Sequence, residues 1–282
     1  MFDTSLLKDK TILVTGGGSG LGLAMADKFA ELGAGVAICG RRQEKLDKAA
    51  EELKKHGNPV YTYSVDVRDY DAVGEMVASL VQDAGGVYGL VNNAAGNFLS
   101  ASETLSPNAF RSIIDIVLMG TFNCTSHVGK WLIDNEKPGS VINIVTTYTQ
   151  TGSAFVMPSA CAKAGVEAMT KSLAYEWATY NIRLNAIAPG PFPTKGAWSR
   201  LMPDPKMEEF YMKRIPTRRH GKHEELANLA AFLISEASPY ITGDTVTIDG
   251  GEKLQGQFSF LDQIVPRDKL KMAFNMMRPP KK

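Results

Sequence analysis

Short runs of β-branched and other apolar residues alternate along the chain with longer stretches whose apolar groups recur every three to four positions. Residues 10–14 read as a first strand, and 20–31 as a helix that lines Leu21, Met25 and Phe29, with Leu32 just beyond, along one face. A second strand over 36–39 precedes a charged amphipathic helix over 43–55; 60–65 is a third strand and 72–83 a third helix. Further strands are expected at 88–91 and 141–145, with one long helix around 107–134 between them. Residues 159–179 read as helix, 183–188 as strand and 245–248 as the last strand. Strands that alternate with helices need crossover connections, which give a largely parallel sheet covered on both faces. The expected fold class is therefore α/β, a doubly wound parallel sheet of the Rossmann kind in a single domain. Its ligand would sit outside the carboxyl ends of the strands.

No internal repeat and no Pro-, Gly- or Ser-rich linker divides the chain, so residues 1–255 are expected to form that domain and 256–282 a C-terminal tail. In the tail Phe258, Phe260, Leu261, Ile264 and Val265 suit burial against a neighbouring subunit, and 272–282 are expected to fray. The chain has 282 residues, 44% hydrophobic and 22% charged, ordinary values for a globular protein. A net charge of +1 gives no global field toward nucleic acid or an anionic membrane, although a local basic pocket for a phosphorylated ligand would be averaged away. No apolar run approaches the roughly 20 residues needed to span a bilayer. The first ten residues carry neither a signal core nor an Arg-rich transit segment, and the final Pro-Pro-Lys-Lys is no peroxisomal address of the Ser-Lys-Leu type, so a cytoplasmic location is expected. Cys39, Cys124 and Cys161 are widely spaced and read as small buried hydrophobes in a reducing compartment. His220 and His223 lack further ligands at sensible spacing, so no metal site is expected.

Candidate chemistry begins where the first strand meets the first helix, at Thr15-Gly16-Gly17-Gly18-Ser19-Gly20-Leu21-Gly22. Glycines let the backbone turn sharply and approach a pyrophosphate, whose charge is met by the helix N-terminus. By itself such a cluster is also an ordinary tight turn; the strand–loop–helix context favours a dinucleotide. The usual fingerprint continues with an acid that bonds the ribose hydroxyls. Here the second strand ends in Cys39-Gly40-Arg41-Arg42, with no acid. A carboxylate would repel a 2′-phosphate, whereas guanidinium groups pair with it, so NADP(H) is the expected cofactor unless Arg41 and Arg42 are solvated helix-start residues.

Together with the glycine loop, several motifs in order resemble the short-chain dehydrogenase/reductase family. They are Asp66-Val67, Asn92-Asn93-Ala94-Ala95-Gly96, Pro189-Gly190 followed by Thr194, and Thr242-Gly243 leading to Asp249-Gly250-Gly251. The resemblance runs from near residue 10 to near residue 251. It implies that Gly16, Gly18, Ser19, Gly20, Leu21, Gly22, Asp66, Val67, Asn93, Lys163, Pro189, Gly190 and Thr194 line the cofactor. Within that set Asp66 would bond the adenine, Asn93 would brace the central strand and Thr194 would lie near the nicotinamide carboxamide. It also implies a homotetramer.

The departures from the family pattern carry the functional expectation. A typical member has an Asn–Ser–Tyr–Lys tetrad with the tyrosine four residues before the lysine, on one helix face. Here Lys163 is in place, but Ser159 stands at the tyrosine position, Thr146 at the serine position and Val117 at the asparagine position. Asn92 to Phe98, Asp115-Ile116-Val117-Leu118, Thr146-Thr147-Tyr148, the run from Pro158 to Lys163 and the run from Gly190 to Arg200 resemble one subfamily, the mitochondrial-type 2,4-dienoyl-CoA reductases. The lack of a transit segment suggests a bacterial, cytosolic version.

In that subfamily the catalytic tyrosine follows the strand before the helix, here Tyr148, and its asparagine partner is here Asn97. Lys163 would hold the nicotinamide ribose, and Ser159 would bond the substrate carbonyl region or a water. Arg68 and Arg200 are implied contacts for the phosphates of an unsaturated acyl-CoA substrate, with Phe98 and Ser106 nearby. Structural alternatives stand beside each. Tyr148 could cap the strand, Asn97 could serve its own turn, Ser159 could simply make room, and the two arginines could be solvated. The reaction expected is NADPH-dependent reduction of 2,4-dienoyl-CoA to 3-enoyl-CoA. Reduction of a trans-2-enoyl-CoA, or NADPH binding without catalysis, remains open at this point.

Overall fold

The computed structural model describes residues 2–194, 198, 202 and 204–278. Seven strands form one parallel sheet: β1 (Thr11–Thr15), β2 (Gly35–Gly40), β3 (Val60–Ser64), β4 (Gly89–Asn92), β5 (Gly139–Ile144), β6 (Ile182–Pro189) and β7 (Thr245–Ile248). Their order is β3-β2-β1-β4-β5-β6-β7, so the winding reverses between β1 and β4. That reversal opens a crevice at the carboxyl ends of the strands, where ligands of doubly wound sheets bind.

Alternation along each strand divides the core into two layers. Ile12 and Val14 of β1, Val36 and Ile38 of β2 and Ile142 and Ile144 of β5 meet helices α1 (Gly20–Glu31), α2 (Gln43–Leu53) and α8 (His223–Ile234). Leu13, Ala37, Leu90 and Val141 point the other way, against α3 (Tyr70–Ala84), α5 (Gly120–Asp134) and the far end of α6 (Met157–Trp177). The two-residue period of a strand and the 3.6-residue period of a helix make this sandwich the way to bury both faces. A buried polar chain crosses the second layer: Asn92 Nδ2 donates to Thr125 Oγ1 and to Asn143 Oδ1, and Asn143 Nδ2 donates to Thr170 Oγ1. It ties α5 and α6 to the ends of β4 and β5, the strands beneath the crevice.

Four details differ from the expectations. The long helix is three pieces: α4 (Pro107–Ile114), a π-wound turn over Asp115–Met119, and α5. The wider turn re-aims the helix face that follows it, where Gly120 packs so closely on Val67 that a β-carbon would stand 2.6 Å from Val67 Cγ2. Helices α7 (Pro205–Arg214) and α8 were not anticipated; Asp204 caps the first, its carboxylate accepting from Lys206 N. Cys161 is exposed, in contrast to buried Cys39 and Cys124, because its position on α6 faces away from the sheet. The tail is helical over Leu261–Ile264 and Arg267–Met276, so order continues past residue 272. Gln255 Nε2 donates to Arg214 O and Arg218 donates to Asp262 O, which anchors the start of the tail; Phe258, Phe260 and Ile264 are exposed on the single chain.

Candidate active site

The glycine loop is shaped by contacts that exclude side chains. Gly16 and Gly20 have φ of +66° and +59°, a region that L side chains rarely adopt. A β-carbon at Gly17 would stand 2.5 Å from Ile38, and one at Gly22 2.5 Å from both Asn93 Nδ2 and Gly16 O. Ser19 occupies the N-cap of α1 with an extended backbone and makes no side-chain cap bond, and the first turn has no acid. The amides of that turn are thus not met by a capping side chain. Together with the closely approached backbone, they fit the pyrophosphate of a dinucleotide.

Other expected cofactor residues converge on this loop. Asn93 Nδ2 donates to Thr15 O at 3.0 Å, and the amides of Asn93 and Ala94 both donate to Thr15 Oγ1 at 2.9 Å, so β1 and β4 are locked at their carboxyl ends. Thr194 lies against Gly20, its Cγ2 3.1 Å from where a β-carbon would stand. Gly190 has a packing reason of its own: a β-carbon there would meet Asp249 Cβ at 2.6 Å. At the far end of the loop, Arg41 and Arg42 are exposed just beyond β2, and neither has an ion-pair partner among the described residues. Asp66 and Arg68, expected to serve different ligands, are joined to each other. Arg68 Nε donates to both carboxylate oxygens, at 3.0 and 3.1 Å, and Nη2 donates to Oδ2 at 2.6 Å. This guanidinium holds the Asp66 carboxyl below its usual value.

The residues expected to be catalytic lie on and after β5 and on α6. Lys163 is buried, its ammonium donating to Ile144 O at the end of β5, and burial pushes it down to about 8. One turn earlier on the same helix, Ser159 Oγ lies 3.2 Å from Tyr148 Oη, and either atom can be the donor. The structure therefore brings Tyr148, Ser159 and Lys163 together. Thr146 Oγ1, also buried here, has no partner among the described residues.

Asn97 lies in the next loop, after β4. Its Oδ1 accepts from Phe98 N at 2.9 Å, which leaves its amide N–H groups for another acceptor. Ser100 N donates to Phe155 O at 2.9 Å, so the loops after β4 and β5 lie side by side, and Phe98 packs against the cluster that contains Val145 and Ala162. No hydrogen bond joins Asn97 to Tyr148 among the described residues. Ser106 caps α4, accepting from Ala109 N at 3.2 Å. Arg200 falls outside the described residues. Tyr211, on α7, is not among the expected site residues; its phenol donates to Glu252 at 2.6 Å. Burial, that bond and the nearness of Tyr148 all push the Tyr211 phenol up. The Asp204-Pro205 pair that starts its helix was the available signal.

A family model described as enoyl-(acyl carrier protein) reductase matches residues 16–253. A Caenorhabditis elegans protein named "Probable 2,4-dienoyl-CoA reductase 3, (3E)-enoyl-CoA-producing" is 47% identical over 251 residues, 88% of this chain and 81% of that protein. A Bacillus subtilis protein named "Probable 2,4-dienoyl-CoA reductase, (2E)-enoyl-CoA-producing" is 42% identical over 249 residues, 88% of this chain and 98% of that one. The crystal structure of a short chain dehydrogenase from Bacillus anthracis superposes with a TM-score of 0.84 at 43% identity, covering 89% of this chain and 99% of that one. Likeness of this extent, in sequence and in backbone, makes the chain a member of the short-chain dehydrogenase/reductase family and an oxidoreductase.

Proposed function

We propose that the protein reduces 2,4-dienoyl-CoA to 3-enoyl-CoA with NADPH. The observation that carries this is the Tyr148 phenol at the end of β5, 3.2 Å from Ser159 on the helix that buries Lys163. A family member normally has its phenol on that helix, and here the helix position offers only the weakly acidic serine. The names of the two relatives support a dienoyl-CoA substrate.

When bound, the nicotinamide supplies the hydride, which adds to the δ carbon of the diene. Negative charge then collects on the thioester oxygen, where a positioned donor is worth several kcal/mol. With Ser159 donating to Tyr148 Oη, the phenol proton is free to point at that oxygen. Asn97 supplies a second donor, since the backbone bond to its Oδ1 turns the N–H end of the amide outward. A proton from solvent or a bound water then adds at Cα, next to the stabilised oxygen, and the remaining double bond lies between Cβ and Cγ. Lys163 stays protonated at neutral pH and holds the nicotinamide ribose. Arg41 and Arg42, exposed beyond β2, take the 2′-phosphate.

Reduction of a trans-2-enoyl thioester is the second reading, favoured by the enoyl reductase description of the family model. Against it, the enoyl reductases of fatty acid synthesis place a tyrosine seven residues before the lysine, and that position here is the buried Val156.

Tyr148→Phe removes the donor while keeping the ring. We expect kcat with 2,4-hexadienoyl-CoA to fall by about 10²–10³, with the NADPH dissociation constant unchanged; unchanged turnover would reject the assignment. Replacing Arg41 and Arg42 together by Ala should weaken NADPH binding by roughly 10–100-fold, with little effect on NADH; equal losses for both would leave the 2′-phosphate without its proposed partners. A third expectation concerns pH. Hydrogen bonds from the ammonium to the ribose oxygens favour the charged form of Lys163, so binding takes up a proton once the free enzyme has begun to lose it. The NADPH dissociation constant should be flat below about pH 8 and rise above it, by up to roughly tenfold per pH unit. Titration by fluorescence would measure it, and Lys163→Met should abolish the rise.

A further inference from the structure

One buried carboxylate has no part in the chemistry just described. Glu167 lies on α6 one turn beyond Lys163, and its side chain is only 5% exposed. Its Oε1 accepts from Lys171 Nζ at 2.6 Å and from Gln150 Nε2 at 3.4 Å. Burial by itself would raise this carboxyl, but Lys171, Thr149 and Gln150 outweigh it and hold the group below its ordinary value. Its Oε2 is buried with no hydrogen-bond partner among the described residues. A half-satisfied buried charge costs stability, so its presence calls for a return elsewhere.

Thr149 and Gln150 are the two residues that follow Tyr148. The loop they begin is thinly anchored: residues 150–155 are exposed, and Phe155 sits at a φ of +64°. Besides the contact of Tyr148 with Ser159, the side chains of Thr149 and Gln150 tie this loop to α6 through Glu167. We propose that Glu167 is a positioning residue for Tyr148: its carboxylate clamps the start of the loop to the helix that carries Ser159 and Lys163, and so aims the phenol. This rests on the role of Tyr148 proposed above. An anchor one residue pair away limits the swing of the phenol, and displacement of a catalytic group by about 1 Å can cost up to roughly 10²-fold in rate.

The test is a double-mutant cycle read in kcat, KM and NADPH affinity with 2,4-hexadienoyl-CoA. Glu167→Ala should lower kcat about tenfold, leave the KM for the thioester and the NADPH dissociation constant near their original values, and add almost nothing in a Tyr148→Phe background. Glu167→Gln keeps the shape and an acceptor, and should restore turnover to within about threefold of the original. Gln150→Ala alters only the exposed partner, so it carries the test if the Glu167→Ala chain does not fold; it should lower kcat in the same direction and be similarly silent when Tyr148 is Phe. An unchanged kcat in these variants, or the same loss with and without the phenol, would overturn the inference. If Tyr148→Phe alone leaves turnover intact, the role of the phenol fails first, and the single variant reveals that failure separately.

Discussion

A lysine ammonium can be kept inside a protein only where something pays for its lost hydration, and at Lys163 that partner is the carbonyl of Ile144 at the end of β5. Burial brings the group down to about 8, low enough to register the cost and high enough to leave it charged at neutral pH. The same contact sets the height and rotation of α6 against the sheet. Ser159 stands one helical turn before the lysine, and Tyr148 four residues after Ile144, so docking this one charge also sets the distance between the two hydroxyls. The geometry of the proposed site follows from where a helix must sit to satisfy its lysine.

The cofactor side obeys a complementary constraint. Around Gly16 and Gly22 the backbone, Asn93 and Ile38 approach so closely that side chains are excluded, and the amides of Asn93 and Ala94 draw the end of β4 onto Thr15. Beneath both halves runs the polar chain from Thr125 through Asn92 and Asn143 to Thr170. Networks of this kind favour one arrangement over near alternatives, since slippage would leave buried amides unpaired. Cofactor loop and lysine helix are thereby referred to the same two strands, β4 and β5.

The alternation of short and long apolar patterns was enough to foresee the parallel sheet, because strand and helix periods differ and only crossovers fit the order. The glycine loop was legible too, since its glycines are demanded by local geometry. Tyr148 and Ser159 were reached through resemblance to a family, as nothing in their spacing of eleven residues says that they meet. The π turn at Asp115–Met119 stayed hidden because it answers to packing around Gly120 and Val67, which come from distant parts of the chain. Glu167 looked like any polar helix position; only the fold reveals that it faces the loop after β5. The pairing of Asp66 with Arg68 is a two-residue neighbour contact, but sequence alone does not say whether such a pair turns to each other or to separate ligands.

Conjugation is the point on which the whole assignment turns, because a donor aimed at the thioester oxygen helps most where charge can travel from the δ carbon to that oxygen. The most direct measurement is steady-state NADPH oxidation by the purified protein with 2,4-hexadienoyl-CoA, crotonyl-CoA and acetoacetyl-CoA side by side. The highest kcat/KM should belong to the diene, with 3-hexenoyl-CoA as its product. Faster turnover of crotonyl-CoA or acetoacetyl-CoA, or a product still conjugated to the thioester, would contradict it.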